Sequence, residues 1–234
     1  MRINEIYSSL QGEGLLAGTP SVFIRITGCN LRCHWCDTPF TSWEPTGKQM
    51  AIPEVLRVVE KHEQRHVVVT GGEPLLFNET VDLCNQLRHQ SYHVTIETAG
   101  TVIPQSFGNE IHSDLMSISP KLSSSSPDTN TSLSWSKRHQ ASRRQDDILR
   151  SLIASGPWQM KFVIETREDL DEADAWIQDL QLQHRHGVIF MMPQGISKDH
   201  LSRTSAWLSN ACKQRGYRLA NRHHIEWFGN TRGT

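Results

Sequence analysis

Ser21-Val22-Phe23-Ile24-Arg25-Ile26-Thr27-Gly28-Cys29-Asn30-Leu31-Arg32-Cys33-His34-Trp35-Cys36-Asp37-Thr38 reads as an apolar strand that runs straight into three cysteines. Five β-branched or aromatic residues surround a single charge, Arg25, and Gly28 ends the run; this is strand composition with a stop. Side chains alternate along a strand. Ile24 and Ile26 are therefore expected on one face, and Arg25 on the other, toward the cavity that holds the cysteines. A guanidinium among apolar neighbours requires a partner. Three thiolates within eight residues suit three irons of a cubane cluster, whose usual complement is four. The fourth iron would then be open to a ligand, as catalytic metal sites are. Zinc is the competing reading. It would need a fourth ligand, and apart from the adjacent His34 no second cysteine or histidine pair has an obvious spacing.

Outward from this stretch, short apolar runs alternate with longer amphipathic ones. Strands are expected at 21–27, 66–70, 93–97, 115–119, 160–165 and 188–192, and helices at 52–64, 79–90, 167–183 and 199–215. In the third helix Leu170, Ala173, Ile177 and Leu180 fall on one face. Strand and helix in alternation predict βα units around a mostly parallel sheet in one domain. In such sheets, sites gather beyond the carboxyl ends of the strands. Five strand ends here carry polar or glycine-rich tips: Gly28-Cys29, Gly71-Gly72-Glu73-Pro74, Glu97-Thr98-Ala99-Gly100, Ser119-Pro120-Lys121 and Pro193-Gln194-Gly195. Residues 123–144 are serine-rich and poor in apolar side chains, the composition of a mobile surface loop. Cys84 and Cys212 lie on the apolar stripes of their helices and are expected in the core.

The whole chain of 234 residues sets limits on function. Lys plus Arg number 24 and Asp plus Glu 25, a formal charge of −1. This balance gives no electrostatic footprint for nucleic acid or an anionic membrane. No apolar run approaches the length of a membrane span. The amino-terminal segment lacks the pattern of a signal peptide, so a cytoplasmic protein is expected. In a reducing compartment, clustered cysteines point to metal or redox chemistry rather than disulfides.

With these residues in view, the chain resembles the radical S-adenosylmethionine (SAM) superfamily. Its signature is Cys-x3-Cys-x2-Cys with an aromatic before the last cysteine, here Cys29, Cys33, Trp35 and Cys36. Gly71-Gly72-Glu73-Pro74, directly after a strand, matches the segment that receives the SAM amino group. The likeness is to one branch, the 7-carboxy-7-deazaguanine synthases of the deazapurine pathway leading to queuosine in tRNA. It runs from Ser9-Leu10-Gln11-Gly12-Glu13-Gly14 through Phe23-Ile24-Arg25, Cys36-Asp37-Thr38, Thr70–Pro74, Glu97–Gly100 and Ser119–Lys121 to Trp227–Gly233.

The resemblance implies a truncated parallel β/α barrel, usually a homodimer, carrying a [4Fe-4S] cluster, SAM and Mg2+. It implies a lyase that converts 6-carboxy-5,6,7,8-tetrahydropterin to 7-carboxy-7-deazaguanine with loss of ammonia, regenerating SAM each cycle and drawing electrons from a partner such as flavodoxin. Carried over by position, Cys29, Cys33 and Cys36 would bind iron. Trp35, Cys36, Asp37, Gly72, Glu73, Gly100, Ser119, Pro120, Lys121 and the turn Met192-Pro193-Gln194-Gly195 would lie against SAM, with Glu73 a negative partner for its ammonium. Thr38 would meet Mg2+, and Leu10, Gln11, Gly12, Arg25, Thr98 and His224 would surround the pterin. Many relatives have Gln-Pro where this chain has Met192-Pro193. The rival readings are a radical SAM activase that places a glycyl radical on a partner protein, and a non-catalytic iron–sulfur or zinc protein. Activases commonly follow the third cysteine with Asn-Pro, where this chain has Asp37-Thr38, and they lack the Gln-Gly-Glu-Gly opening.

Overall fold

A computed structural model describes residues 1–108 and 112–234. Its strands are β1 (Arg2–Leu10), β2 (Pro20–Ile26), β3 (Lys48–Gln49), β4 (His66–Gly71), β5 (His93–Thr98), β6 (Leu115–Ile118), β7 (Trp158–Ile164), β8 (Ile189–Pro193) and β9 (Arg218–Leu219). Its helices are α1 (Pro39–Ser42), α2 (Ile52–Val59), α3 (Asn78–His89), α4 (Thr129–Ser142), α5 (Asp146–Ala154), α6 (Arg167–Asp179), α7 (Lys198–Arg215) and α8 (His223–Phe228). The strands form one sheet in the order β3-β1-β2-β4-β5-β6-β7-β8-β9. Neighbours from β2 to β9 pair parallel, while β1 runs antiparallel to both β2 and β3. Among the described residues β9 does not pair with β3, so the sheet stays open. This is the truncated parallel β/α barrel that the resemblance implied.

Period-two alternation divides the sheet's faces. Val22, Ile24 and Ile26, Val67 and Val69, Val94 and Ile96, Met116 and Ile118, and Met160, Phe162 and Ile164 are all at most 1% exposed and pack beneath the helices. Each such side chain contributes about 1.5–3 kcal/mol relative to exposure, so this outer layer holds the fold together. The helices supply matching stripes. In α6, Leu170, Ala173, Trp176 and Ile177 are buried, and Thr166 and Asp169 close its first turn as a capping box. In α7, Leu201, Thr204, Leu208, Ala211 and Cys212 are buried. Cys84 and Cys212 are core residues. No helix among the described residues is long and apolar enough to cross a membrane.

The other, concave face is mixed: register and alternation place Phe23, Val68, Val163, Phe190 and Met192 there, with a band of polar side chains among them where a doubly covered parallel sheet would be apolar throughout. It carries Ser21 and Arg25 of β2, Thr70 of β4, Glu97 of β5, Ser117 of β6, and Gln159 and Lys161 of β7. Polar and charged side chains set into the middle of a sheet face require partners, and a bound ligand can be one.

Residues 123–144 correct the sequence reading. Most of the expected mobile loop is α4, which bends at Ser132. Its attachment is polar: Ser125, Ser136 and His139 are buried, and Arg32 lies 4.0 Å from the centre of the Trp135 ring. An apolar stripe, the signal sought in the sequence, is not what docks it.

Candidate active site

Beyond the end of β2, the cysteine loop folds back on itself. The Gly28 amide donates to Thr41 O at 2.9 Å, Cys36 N to Cys33 O at 3.3 Å, and Trp43 Nε1 to Cys33 O at 3.0 Å. All five cysteines are free thiols. Burial pushes the Cys29 and Cys33 thiols up to about 12, so both are protonated at neutral pH until a metal displaces the proton. Cys36 Sγ lies 3.3 Å from Ser42 Oγ and 3.8 Å from Thr38 Oγ1. Among the described residues no three His, Cys, Asp or Glu side chains converge on one ion.

The loop is braced from outside by α4 and the turn before it. His139 Nδ1 accepts from the Arg32 amide at 3.2 Å, Nε2 faces Ser125 Oγ at 2.9 Å, and the Ser125 hydroxyl donates to Leu122 O at 2.6 Å. Burial, with Arg143 and Lys121 nearby, holds the imidazole down to about 4. It is neutral at pH 7, with its proton on Nε2. The His34 amide also donates to Ser125 O at 3.0 Å.

The glycine loop after β4 lies directly on the cysteine loop. Gly72 N donates to Ile26 O at 3.1 Å and Glu73 N to Gly28 O at 2.8 Å. A Cβ on Gly72 would fall 2.1 Å from Gly28 O and 2.9 Å from Cys29 Cβ, so only glycine permits this approach. Gly71, at φ +139°, sits in the region glycine favours. The Glu73 side chain does not open onto the concave face: it is 0% exposed. Oε1 accepts from Thr98 Oγ1 at 2.8 Å and Leu75 N at 3.1 Å, and Oε2 from Ala99 N at 2.8 Å. Burial raises its carboxyl above the usual range against these three donors. It fastens the end of β4 to the end of β5, and what this segment can offer a ligand is main chain. Thr98 is committed in the same way, since its hydroxyl also accepts from Gly100 N at 2.9 Å. Further round, Lys121 Nζ donates to Ser119 O and Oγ, both at 2.9 Å, and lies 5.8 Å from the centre of the Trp35 ring.

Buried charges join these parts. Arg222 is 8% exposed. It donates to Gly195 O at 2.7 Å, to Glu13 Oε1 at 3.2 Å and to Asp37 Oδ2. One guanidinium thus ties together the turn after β8, the Gln11–Gly14 segment and the cysteine loop. Lys161 Nζ donates to Glu13 Oε2 at 2.9 Å and Glu97 Oε1 at 3.3 Å, and Thr70 Oγ1 donates to Glu97 Oε2 at 2.9 Å. Lys161 and Arg222 hold the Glu13 carboxyl far below the usual range, against the effect of burial. Gly12 meets the carboxy-terminal segment: its carbonyl accepts from His223 N at 3.0 Å, and a Cβ there would fall 2.2 Å from His224 Nδ1. Gln11 Nε2 donates to Ser21 Oγ at 2.9 Å. Arg25 uses Nε on Glu5 at 2.7 Å and Nη2 on Tyr7 Oη at 2.8 Å, so its anion partner is already present and Nη1 is left for a ligand. Leu10 stands apart. It lines a cavity of about 370 Å³ at the amino ends of the strands, with Ser8, Pro20, Gln64 and Phe228.

The model for the radical SAM superfamily matches residues 23–177. A 7-carboxy-7-deazaguanine synthase of Rhodopirellula baltica is 44% identical over 233 residues, covering 99% of this chain and 88% of that protein. One from Halobacterium salinarum is 38% identical, with 95% and 88% covered. The chain belongs to the 7-carboxy-7-deazaguanine synthases of the radical SAM superfamily. Among solved structures, QueE from Escherichia coli shares the fold, at a TM-score of 0.70 and 24% identity over 95% of this chain and 94% of that one.

Membership of the synthase family brings a [4Fe-4S] cluster and SAM as cofactors. The residues fit both: three free thiols share one loop, and the main-chain cradle of Gly71-Gly72 lies against it with no room for a Cβ. Glu13, Glu97, Lys161 and Arg222 had no assigned role in the sequence reading. Lys161, a lone cation in the apolar run Met160–Ile164, carried the same signal that singled out Arg25.

Proposed function

We propose that this chain converts 6-carboxy-5,6,7,8-tetrahydropterin to 7-carboxy-7-deazaguanine with release of ammonia, a radical ring contraction in 7-deazapurine biosynthesis. The observation that carries the reading is the junction of cysteine loop and glycine loop, hydrogen-bonded at the rim of the concave sheet face, in a chain 44% identical to a named synthase over nearly its full length. When bound, the reduced cluster and SAM supply one-electron chemistry that removes a hydrogen atom from the substrate.

The chain's own residues have the remaining work. Cys29, Cys33 and Cys36 hold three irons and leave the fourth open to SAM. The main chain at Gly71-Gly72-Glu73 receives the SAM amino group. Trp35 and Lys121, which face one another, line its other side with Gly100, Ser119, Pro120 and the Met192–Gly195 turn. Arg222 draws that turn and Asp37 together and so sets the width of the SAM site. Thr38, whose hydroxyl stands 3.8 Å from Cys36 Sγ, supplies a hard oxygen ligand to Mg2+. Arg25 offers Nη1 to the substrate carboxylate, steadied by Glu5 and Tyr7. Gln11, Gly12 and His224 close the pterin site, with Thr98 contributing main chain. The sheet's helix-covered outer face shields this chemistry from water on one side.

The enzyme works as a homodimer in the cytoplasm, with a low-potential reductant such as flavodoxin, in keeping with the family. No observation favours the activase or the non-catalytic iron–sulfur or zinc reading. Anaerobic incubation of the reconstituted enzyme with carboxypterin, SAM, Mg2+ and reductant tests the proposal. Mass spectrometry should find 7-carboxy-7-deazaguanine, and its absence at full cluster loading would reject the assignment.

A further inference from the structure

We propose that Glu97 and Lys161 read the 2-amino-4-oxopyrimidine edge of the substrate, an inference that rests on the pterin reading above. Four carboxylates stand on or beside the concave face; one of them, Asp37, is 44% exposed but belongs to the cysteine loop, where Arg222 holds it. Glu13 has its oxygens on Lys161 and Arg222, and its side chain is 18% exposed. Glu5 is held by Arg25 and Arg232 and is 14% exposed. Glu97 is 35% exposed and accepts one hydrogen bond at each oxygen, from Lys161 and from Thr70. Each carboxylate oxygen can accept two, so Glu97 keeps one open lone pair per oxygen. Lys161 donates two of its three N–H bonds, which leaves one. Alternation turns the Glu97 side chain to the opposite face of β5 from its neighbour Thr98, whose hydroxyl serves Glu73.

The order of these groups carries the chemistry. From Lys161 across Glu97 toward Thr70, the wall presents a donor (Nζ), an acceptor (Oε1) and an acceptor (Oε2). The pyrimidine edge of a pterin presents the complement in the same order: the 4-oxo acceptor, the N3–H donor and the 2-amino donor. Parallel hydrogen bonds from adjacent N–H groups to one carboxylate are charge-assisted and geometrically selective. Arg25 is the register partner of Thr70, and Thr70 bonds to Glu97 on the next strand. Arg25 and Glu97 therefore stand two strands apart with Thr70 between them, which places the carboxylate-binding group and the pyrimidine-binding group side by side on one face.

The test is a specificity change. Replacing the 2-amino group by oxygen turns the edge into acceptor–donor–acceptor. Glu97→Gln, with its amide oxygen toward Lys161, turns the wall into donor–acceptor–donor. Affinities are measured calorimetrically on cluster-loaded enzyme with SAM and Mg2+, but no reductant so that nothing turns over. The ligands are 6-carboxytetrahydropterin and its 2-oxo counterpart, 6-carboxytetrahydrolumazine. The parent should prefer the pterin by about ten- to a hundredfold, the difference made by one charge-assisted hydrogen bond. The Gln variant, with iron content and SAM affinity near the parent's, should lose or invert that preference. A site built to hydrogen-bond a group rejects the analogue that cannot match it. A structural role for Glu97 would instead weaken both ligands alike, and that result overturns the proposal. So does a parent that binds both equally, a measurement that needs no variant. A parent that binds neither rejects the pterin reading, and the proposal with it.

Discussion

Replacing Lys161 with Met removes one charge from the buried network and keeps the side chain's length. The Nζ atom sits on Glu13 at 2.9 Å and Glu97 at 3.3 Å, with the side chain 4% exposed. Removing one member of a buried ion pair costs about 3–5 kcal/mol, because the partner is left charged and unpaired. Here Glu13 retains Arg222 at 3.2 Å and Glu97 retains the Thr70 hydroxyl, so the loss belongs at the low end, ~3 kcal/mol. For a chain of this size that lowers the unfolding midpoint by about 6–12 °C. The pH dependence follows from the two shifts. Glu13 is depressed below its ordinary 4.5, so its contribution is present above 4.5 and fades as pH falls through the lowered value. Lys161 is raised above 10.5, so its contribution is complete below 10.5 and fades as pH rises through the raised value. The gap between parent and variant should therefore be flat from about pH 5 to 9 and narrow in stronger acid. Thermal unfolding followed by circular dichroism at matched cluster content measures it. Equal midpoints at pH 7, or a gap that widens in acid, would refute the reasoning.

Other substitutions examine the site's separate parts. Gly72→Ala places a Cβ 2.1 Å from Gly28 O, so the glycine and cysteine loops must separate; iron content after reconstitution and SAM affinity should fall together, and a variant that keeps both argues against the junction. Arg25→Lys loses the planar fork that meets Glu5 through Nε and Tyr7 through Nη2 and leaves Nη1 for a ligand carboxylate; affinity for the carboxypterin should drop about ten- to a hundredfold, with SAM binding retained. Thr38→Val keeps the side chain's shape and removes its oxygen; Mg2+ stimulation of turnover should weaken while the iron–sulfur absorbance stays, and an unchanged Mg2+ response would remove Thr38 from the metal.

The legible features are those encoded locally. The run from Ser21 to Thr38 announces both a strand and its cysteine loop, and the apolar stripes of α6 and α7 locate their buried faces. What could not be read depends on residues far apart in the chain. Lys161 meets Glu13 across 148 positions, and Arg222 meets Asp37 across 185, so no window of sequence contains either pair. Glu73 and Thr98 were expected to face ligands and instead bind each other, because the turn after β4 swings the carboxylate onto β5. The α4 segment looked unstructured because it docks through His139, Ser125 and Trp135 rather than through an apolar stripe. Strand β1 escaped notice because it is only half-buried along most of its length, which blurs the alternation.

The central claim is ring contraction by this chain with SAM as a cofactor, and one stoichiometry tests it most directly. Reconstituted enzyme is given reductant, Mg2+, excess 6-carboxytetrahydropterin and a limiting amount of SAM, and three products are quantified by mass spectrometry and ammonia assay. The account predicts 7-carboxy-7-deazaguanine and ammonia in equal amounts, each exceeding the SAM supplied, with little 5′-deoxyadenosine. Accumulation of 5′-deoxyadenosine to the level of the SAM added, with no ring-contracted product, would contradict it.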